Sequence, residues 1–138
     1  MNIVLDTNVL VAGLLTPLGP CGTIVRMVSS GELILSFDAR ILAEYEEVLS
    51  RQKFKFDGDK VAALLDHIEH VGLAVASSPL PDSLPDADDE PFLEVAIAGK
   101  AVFLITGNLT HFPAQLRQGV KVISPGDFLR AYVLTRST

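Results

Sequence analysis

The sequence predicts an α/β protein, a three-layer α/β/α sandwich around a central, mainly parallel sheet. Three observations carry that prediction. Short apolar runs rich in β-branched residues, at 3–5, 33–36, 102–105 and 120–123, alternate with longer stretches of helical periodicity. Apart from Ser36 and Lys121 the runs are apolar at successive positions, as strands covered on both faces are. The chain has 138 residues, 49 % of them apolar and 20 % charged, a globular balance that suits one core. A single domain over 1–138 is therefore expected.

The elements follow in order. Ile3-Val4-Leu5 is the first strand, and Asp6-Thr7-Asn8 after it are residues that cap helices and turn chains. Residues 9–15 are apolar on every side, which predicts a buried helix. Pro17, Gly19 and Pro20 end it. A second helix is predicted over 23–30, stopped by Gly31, and a second strand over 33–36. Residues 38–51 form a helix candidate with Asp38 at its start, and 57–71 another with Gly72 as its stop. A short strand over 73–75 precedes the clearest loop, 77–85, which holds three prolines and three serines. A helix over 89–98 ends at Gly99. The strand at 102–105 turns at Thr106-Gly107-Asn108, and a short helix is placed after it. After the last strand, Ser124-Pro125-Gly126-Asp127 gives an N-cap serine, a proline at N1 and an acid at N3, opening a final helix to about 133.

Composition excludes several classes. Seventeen acids against eleven Lys and Arg give a net charge of -6, the wrong sign for a nucleic-acid coat or a polybasic membrane anchor. It leaves room for an enzyme whose acids hold metal. One cysteine, Cys21, allows no internal disulfide and no cysteine-rich zinc site. The N-terminus lacks a basic segment before its apolar run, and no stretch of about 18 apolar residues occurs. A cytoplasmic setting is expected.

In a parallel α/β sheet, ligands bind at the carboxyl ends of the strands. Asp6 and Asn108 follow strands there, and Asp86, Asp88 and Asp89 stand where a helix begins. Six acids lie between 82 and 94, while no Lys or Arg occurs from 61 to 99, so nothing nearby in sequence neutralises them. On the 89–98 helix, Phe92, Leu93 and Ala96 fall within about 60° of Asp89 at about 100° per residue. Asp89 thus points from the apolar face, where an ionised carboxylate is costly unless capped, paired or metal-bound. A plain helix N-cap and a functional carboxylate both satisfy this position, and the same two readings hold for Asp6. Asn8 would hold the turn or orient Asp6. Glu44 and Glu46 flank the apolar arc of the 38–51 helix on opposite edges, and periodicity does not choose between them. His67 and His70 share an amphipathic surface with Asp66 and Glu69, and Cys21 suits a buried structural thiol. Arg51, Lys53 and Lys55 follow Glu44, either as a solvated helix end or as a guide for a nucleic-acid backbone.

Four segments together resemble the PIN domain, the nuclease fold of many bacterial and archaeal toxins. They are Ile3-Val4-Leu5-Asp6-Thr7-Asn8-Val9, residues 41–49 around Glu44, residues 86–96 around Asp89, and Val102-Phe103-Leu104-Ile105-Thr106-Gly107-Asn108. The likeness spans almost the whole chain and is greatest to PIN-family toxins related to the VapC type. It implies a PIN-like fold and an endoribonuclease that hydrolyses RNA with Mg²⁺ or Mn²⁺. Asp6, Glu44 and Asp89 would be its catalytic, metal-ligating acids, which selects Glu44 over Glu46. Asp86 matches a frequent companion acid and would join the metal-binding set, with Thr7, Asn8, Thr106 and Asn108 in support. Asn108 stands where a fourth acid usually follows the turn, and His111 where some relatives carry Asp. The likeness further implies a small antitoxin that blocks the acidic site with an Arg or Lys, and a homodimer or higher homo-oligomer.

Hard cations take oxygen ligands, and a bound ion supplies both an activated water and charge stabilisation at a phosphate. Two rival functions fit the same residues. One is a degenerate PIN domain that binds protein or RNA without cutting, prompted by Asn108 and His111. The other is a haloacid-dehalogenase-like phosphatase with Asp6 as nucleophile, which lacks its second Asp because Asn8 occupies that position.

Overall fold

The computed structural model describes residues 1–137, with side chains to residue 134. Five strands and six α-helices lie along these residues: β1 (Asn2–Leu5), α1 (Thr7–Leu15), α2 (Pro20–Ser29), β2 (Ile34–Phe37), α3 (Ala39–Leu49), α4 (Gly58–Val71), β3 (Leu73–Ala74), α5 (Glu90–Ala98), β4 (Phe103–Ile105), β5 (Val122–Ile123) and α6 (Pro125–Ser137). All strand pairs are parallel, and the sheet order is β3-β2-β1-β4-β5. The expected α/β/α sandwich is what forms. Among the described residues no single helix is long and apolar enough to cross a membrane.

β1 is central, with Ile3, Val4 and Leu5 wholly buried. That explains its unbroken apolar run, since both faces are covered. The chain order reverses at β1: β2 and β3 lie on one side of it, β4 and β5 on the other. This switch point puts the loops after β1 and β4 next to each other. The register pairs Leu5 with Ile105, so Asp6 and Thr106 leave the sheet side by side. α5 lies against β1, β2 and β4, while α3 and α4 lie against β2. Tyr45, Phe92, Phe112 and Phe128 are the largest wholly buried side chains.

Several boundaries differ from expectation. α1 begins at Thr7, not 9, because Asp6 takes the cap position and its carbonyl accepts from the Val9 amide at 3.0 Å. α2 begins at Pro20, not 23, since proline is tolerated in a first turn where its missing N–H would have no partner. α1 and α2 meet at 104°. Their contact requires Gly13, where a Cβ would come 2.7 Å from the Cys21 carbonyl oxygen of α2, and the turn between them requires Gly22, where a Cβ would come within 2.0 Å of the Pro17 carbonyl oxygen. α5 begins at Glu90 after a 3-10 turn over Ala87–Asp89. β5 starts at 122, not 120, because the Val120 amide closes a turn on Arg117. The predicted serine cap of the last helix is present: the Asp127 amide donates to Ser124 Oγ at 3.2 Å. That helix runs on past 133.

Candidate metal centre

The loop after β1, the start of α1, the inner face of α3, the 3-10 turn before α5 and the loop after β4 converge at the carboxyl edge of the sheet. They bring Asp6, Thr7, Asn8, Glu44, Asp89, Thr106 and His111 together. Asp6 is buried and sits at the N-cap position of α1, yet its carboxylate makes no capping bond. Its Oδ2 instead accepts from Thr106 Oγ1 at 2.8 Å and from Asn8 Nδ2 at 3.4 Å. Asn8 also holds the turn, since its Oδ1 accepts from the Gly107 amide at 3.2 Å. Asp89 likewise stands at an N-cap position without capping, buried, with Oδ2 3.1 Å from His111 Nδ1. The sequence allowed either a cap or a functional carboxylate at these two positions. Both carboxylates face the cluster.

Glu44 is half-buried and accepts a hydrogen bond from the Thr7 hydroxyl. Glu46, on the other edge of α3, is exposed and lines a different groove. Tyr45 lies between them in sequence and is wholly buried, its hydroxyl donating to the Leu5 carbonyl. That bond fastens α3 to the end of β1 and so holds Glu44 beside Asp6.

The three carboxyls bind protons more tightly than usual. Burial raises Asp6, with the Thr106 hydrogen bond opposing it. Burial raises Glu44 too, helped by the negative charges of Asp6 and Asp88. Asp89 is pushed up to about 6 by burial and then by the charge of Asp6, against the pull of His111. Like charges in a poorly solvated pocket favour neutralisation. Among the described residues no Lys or Arg bonds any of the three.

This donor set is the chemistry a hard divalent cation takes: carboxylate oxygens, an amide, hydroxyls and no ammonium or guanidinium competitor. As the side chains stand, no three His, Cys, Asp or Glu groups among the described residues are drawn together around one point. Thr7 and His111 hold Glu44 and Asp89 instead.

The remaining expected residues fall as follows. Asp86 is exposed, and its Oδ1 caps the 3-10 turn by accepting from the Asp88 amide at 2.9 Å. Asn108 is exposed, and its amide donates to Thr106 Oγ1 at 3.0 Å, which fixes the hydroxyl that reaches Asp6. His111 lies inside the cluster, a contact the sequence alone did not give. Its only signal was its place three residues beyond Asn108. Arg51 forms a two-pronged ion pair with Glu47, at 3.1 and 2.8 Å. The absence of Lys and Arg between 61 and 99 proves misleading for Glu94, because Arg40 of α3 reaches it at 2.8 Å. His70 is exposed beside Asp66, and His67 Nε2 is 2.9 Å from the Val28 carbonyl. Cys21 is a half-buried free thiol whose burial raises its pKa.

The fold is a parallel α/β sandwich with three carboxylates bordering its switch point. The sequence profile of the PIN domain matches residues 2–110, and the chain belongs to the PIN-domain family. PIN domains are in general metal-dependent nucleases. No curated protein matches the chain in sequence.

Proposed function

We propose that the protein is a metal-dependent endoribonuclease and the toxin of a type II toxin–antitoxin pair. One observation carries the nuclease reading: Asp6, Glu44 and Asp89, each with raised proton affinity, border the carboxyl edge of the sheet where β1 and β4 end, and among the described residues no Lys or Arg bonds them. Asp6, Glu44 and Asp89 would hold Mg²⁺ or Mn²⁺, with Asp86 adding negative charge from the rim. The ion would supply an activated water and charge stabilisation at the phosphate. Thr106 and Asn8 fix the Asp6 carboxylate, and Thr7 fixes Glu44. Asn108 acts through its backbone, by orienting Thr106. RNA as substrate, the antitoxin and a homodimer rest on the resemblance to VapC-type toxins. An Arg or Lys inserted by an antitoxin would meet the same three raised carboxyls and neutralise them.

The second reading, a degenerate PIN domain that binds protein or RNA, is favoured by the His111–Asp89 contact at the place of a missing acid. Cleavage of a structured RNA pool decides between the two. Purified protein is assayed with Mn²⁺, with Mg²⁺ and with EDTA, beside Asp6→Asn and Asp89→Asn. Metal-dependent cutting lost in both variants is the expected result. No cutting by wild type, together with no Mn²⁺ binding by calorimetry, would leave the binding module.

A further inference from the structure

Past the end of β4 the chain makes a 3-10 turn over Leu109–His111 and lays an imidazole against the carboxylate cluster. His111 Nδ1 stands 3.1 Å from Asp89 Oδ2. We propose that His111 is a nitrogen ligand of the metal centre, and that it makes the centre favour Mn²⁺, and Co²⁺ more strongly still, over Mg²⁺. The proposal rests on the metal-dependent reading of that centre and deepens it, by naming a further ligand and the class of ion it selects.

Three observations support it. The first is contact with the donor set. Asp89 is buried and does not cap the helix behind it, and His111 is the side chain its carboxylate meets. The charge of a protonated His111 ring would also act on Asp6, so the ring lies near both buried carboxyls. Bonds of about 2.1 Å place neighbouring donors on an octahedral ion about 3 Å apart. The spacing of Nδ1 and Oδ2 therefore suits a shared ion as well as it suits a hydrogen bond. Neutral imidazole carries its proton on either nitrogen, and with the proton on Nε2 the Nδ1 lone pair can ligate.

The second observation is that the place of the ring is built. The His111 amide donates to the Asn108 carbonyl at 3.1 Å, and the Phe112 amide to the Leu109 carbonyl at 3.1 Å. Phe112 is wholly buried, and its carbonyl accepts from Arg117 Nε at 2.7 Å. A half-exposed imidazole is thus carried on a fixed backbone beside a buried carboxylate. The third is that the neighbouring groups are engaged elsewhere. Thr106 gives its hydroxyl to Asp6, and Asn108 is exposed and serves Thr106 through its amide. His67 meets the Val28 carbonyl and His70 meets Asp66, both on α4. An imidazole adds no negative charge, ligates Mg²⁺ poorly and binds first-row ions more tightly from Mn²⁺ to Co²⁺. Three carboxylates with one imidazole therefore select differently from carboxylates alone.

The test needs no substrate. The full chain is loaded with substoichiometric Mn²⁺ at pH 7.5 and read by pulsed electron paramagnetic resonance, where a coordinated imidazole nitrogen modulates the Mn²⁺ echo. Wild type is expected to show nitrogen coupling, and His111→Asn to lose it. Asparagine keeps an N–H donor for Asp89, so a histidine that only holds Asp89 predicts no coupling in wild type and equal metal affinities in both proteins. By calorimetry, His111→Asn should raise the Kd for Co²⁺ about tenfold and that for Mg²⁺ by no more than about twofold. His111→Asp, which puts an oxygen donor there instead, should shift the preference back towards Mg²⁺. His111 is half-exposed, so both variants should fold, which their Tm values check. Suppose wild type binds Mn²⁺ and Asp6→Asn does not. Absence of nitrogen coupling in wild type, or its persistence in His111→Asn, then overturns the ligand assignment while the metal centre stands. If wild type binds none of the three ions, both readings fall together.

Discussion

The Thr106 hydroxyl at the end of β4 donates to the Asp6 carboxylate at the end of β1, 2.8 Å away across a sequence separation of 100 residues. Both side chains are buried, so this bond joins the two strand ends that form the candidate centre. Thr106 in turn accepts from the Asn108 amide, which fixes the direction of its proton. Thr106→Val keeps the shape and removes the donor. The change is expected to cost about 1–2 kcal/mol, the usual penalty for leaving a buried acceptor short of a partner. Asp6 should then hold its proton more tightly still, and Mn²⁺ affinity should fall. Urea unfolding and calorimetric titration would measure both. Unchanged values in each would mean that water replaces the hydroxyl freely.

Asp89 gives a pH dependence of definite sign. Its carboxyl titrates near 6 in the folded chain against an ordinary 3.8. The folded state therefore holds this proton more tightly than the unfolded state does. The resulting stability is full below the ordinary value and is lost as pH rises through about 6. Allowing for solvent screening at the open edge of the cluster, the loss is about 1–2 kcal/mol. Asp89→Asn removes the charge but keeps an oxygen for His111. It should raise Tm relative to wild type at pH 7.5 and leave it unchanged at pH 4. Mn²⁺ added to wild type at pH 7.5 should raise Tm as well. A variant effect equal at both pH values would refute the assignment to Asp89.

The fold was legible because the strands are short, apolar and separated by stop signals. β1 shows this best: Ile3-Val4-Leu5 is wholly buried, as its composition requires. Boundaries that depend on backbone turns were less legible. The Val120 turn and the 3-10 turn before Glu90 leave no periodic trace. At the candidate centre, the apolar face of α5 placed Asp89 correctly in the interior. Periodicity did not separate Glu44 from Glu46, because both border the same apolar arc. The separation comes from Thr7 and Asp6, which reach Glu44 only through the tertiary fold. The contacts of His111 with Asp89 and of Arg40 with Glu94 span 22 and 54 residues, a distance at which no local pattern operates.

Asp86 and Asp89 lie three residues apart and differ sharply in setting. Asp86 is exposed and caps a turn, whereas Asp89 is buried in the cluster. Asn caps as well as Asp does, so Asp86→Asn should fold normally. It removes one screened charge and should weaken Mn²⁺ binding about two- to threefold. Asp89→Asn replaces a buried carboxylate by a neutral amide and, if Asp89 is a ligand as proposed, should weaken it about tenfold or more. Calorimetry at one ionic strength would compare them. Equal losses would make Asp86 a ligand in its own right.

Arg40 and Glu94 join α3 to α5 across the 77–85 loop. Glu94 is only 8 % exposed. One of its oxygens meets Arg40 at 2.8 Å and the other accepts from the Leu80 amide at 3.2 Å. Arg40 also reaches Asp38 and Ser77, so one guanidinium ties α3, α5 and the 77–85 loop together. Arg40→Ala leaves a nearly buried carboxylate without its cation. The full penalty for such a loss is several kcal/mol, but Arg40 is half exposed and water enters its place, so about 1–2 kcal/mol is expected. The loop should then become a preferred site of proteolysis, since its tie to α5 is weakened. Adding Glu94→Gln to Arg40→Ala removes the stranded charge while keeping an oxygen for Leu80. The double variant should therefore be more stable than Arg40→Ala alone, by a margin that a double-mutant cycle in urea would read. A double variant no more stable than the single one would show that Arg40 acts through Asp38 rather than through Glu94.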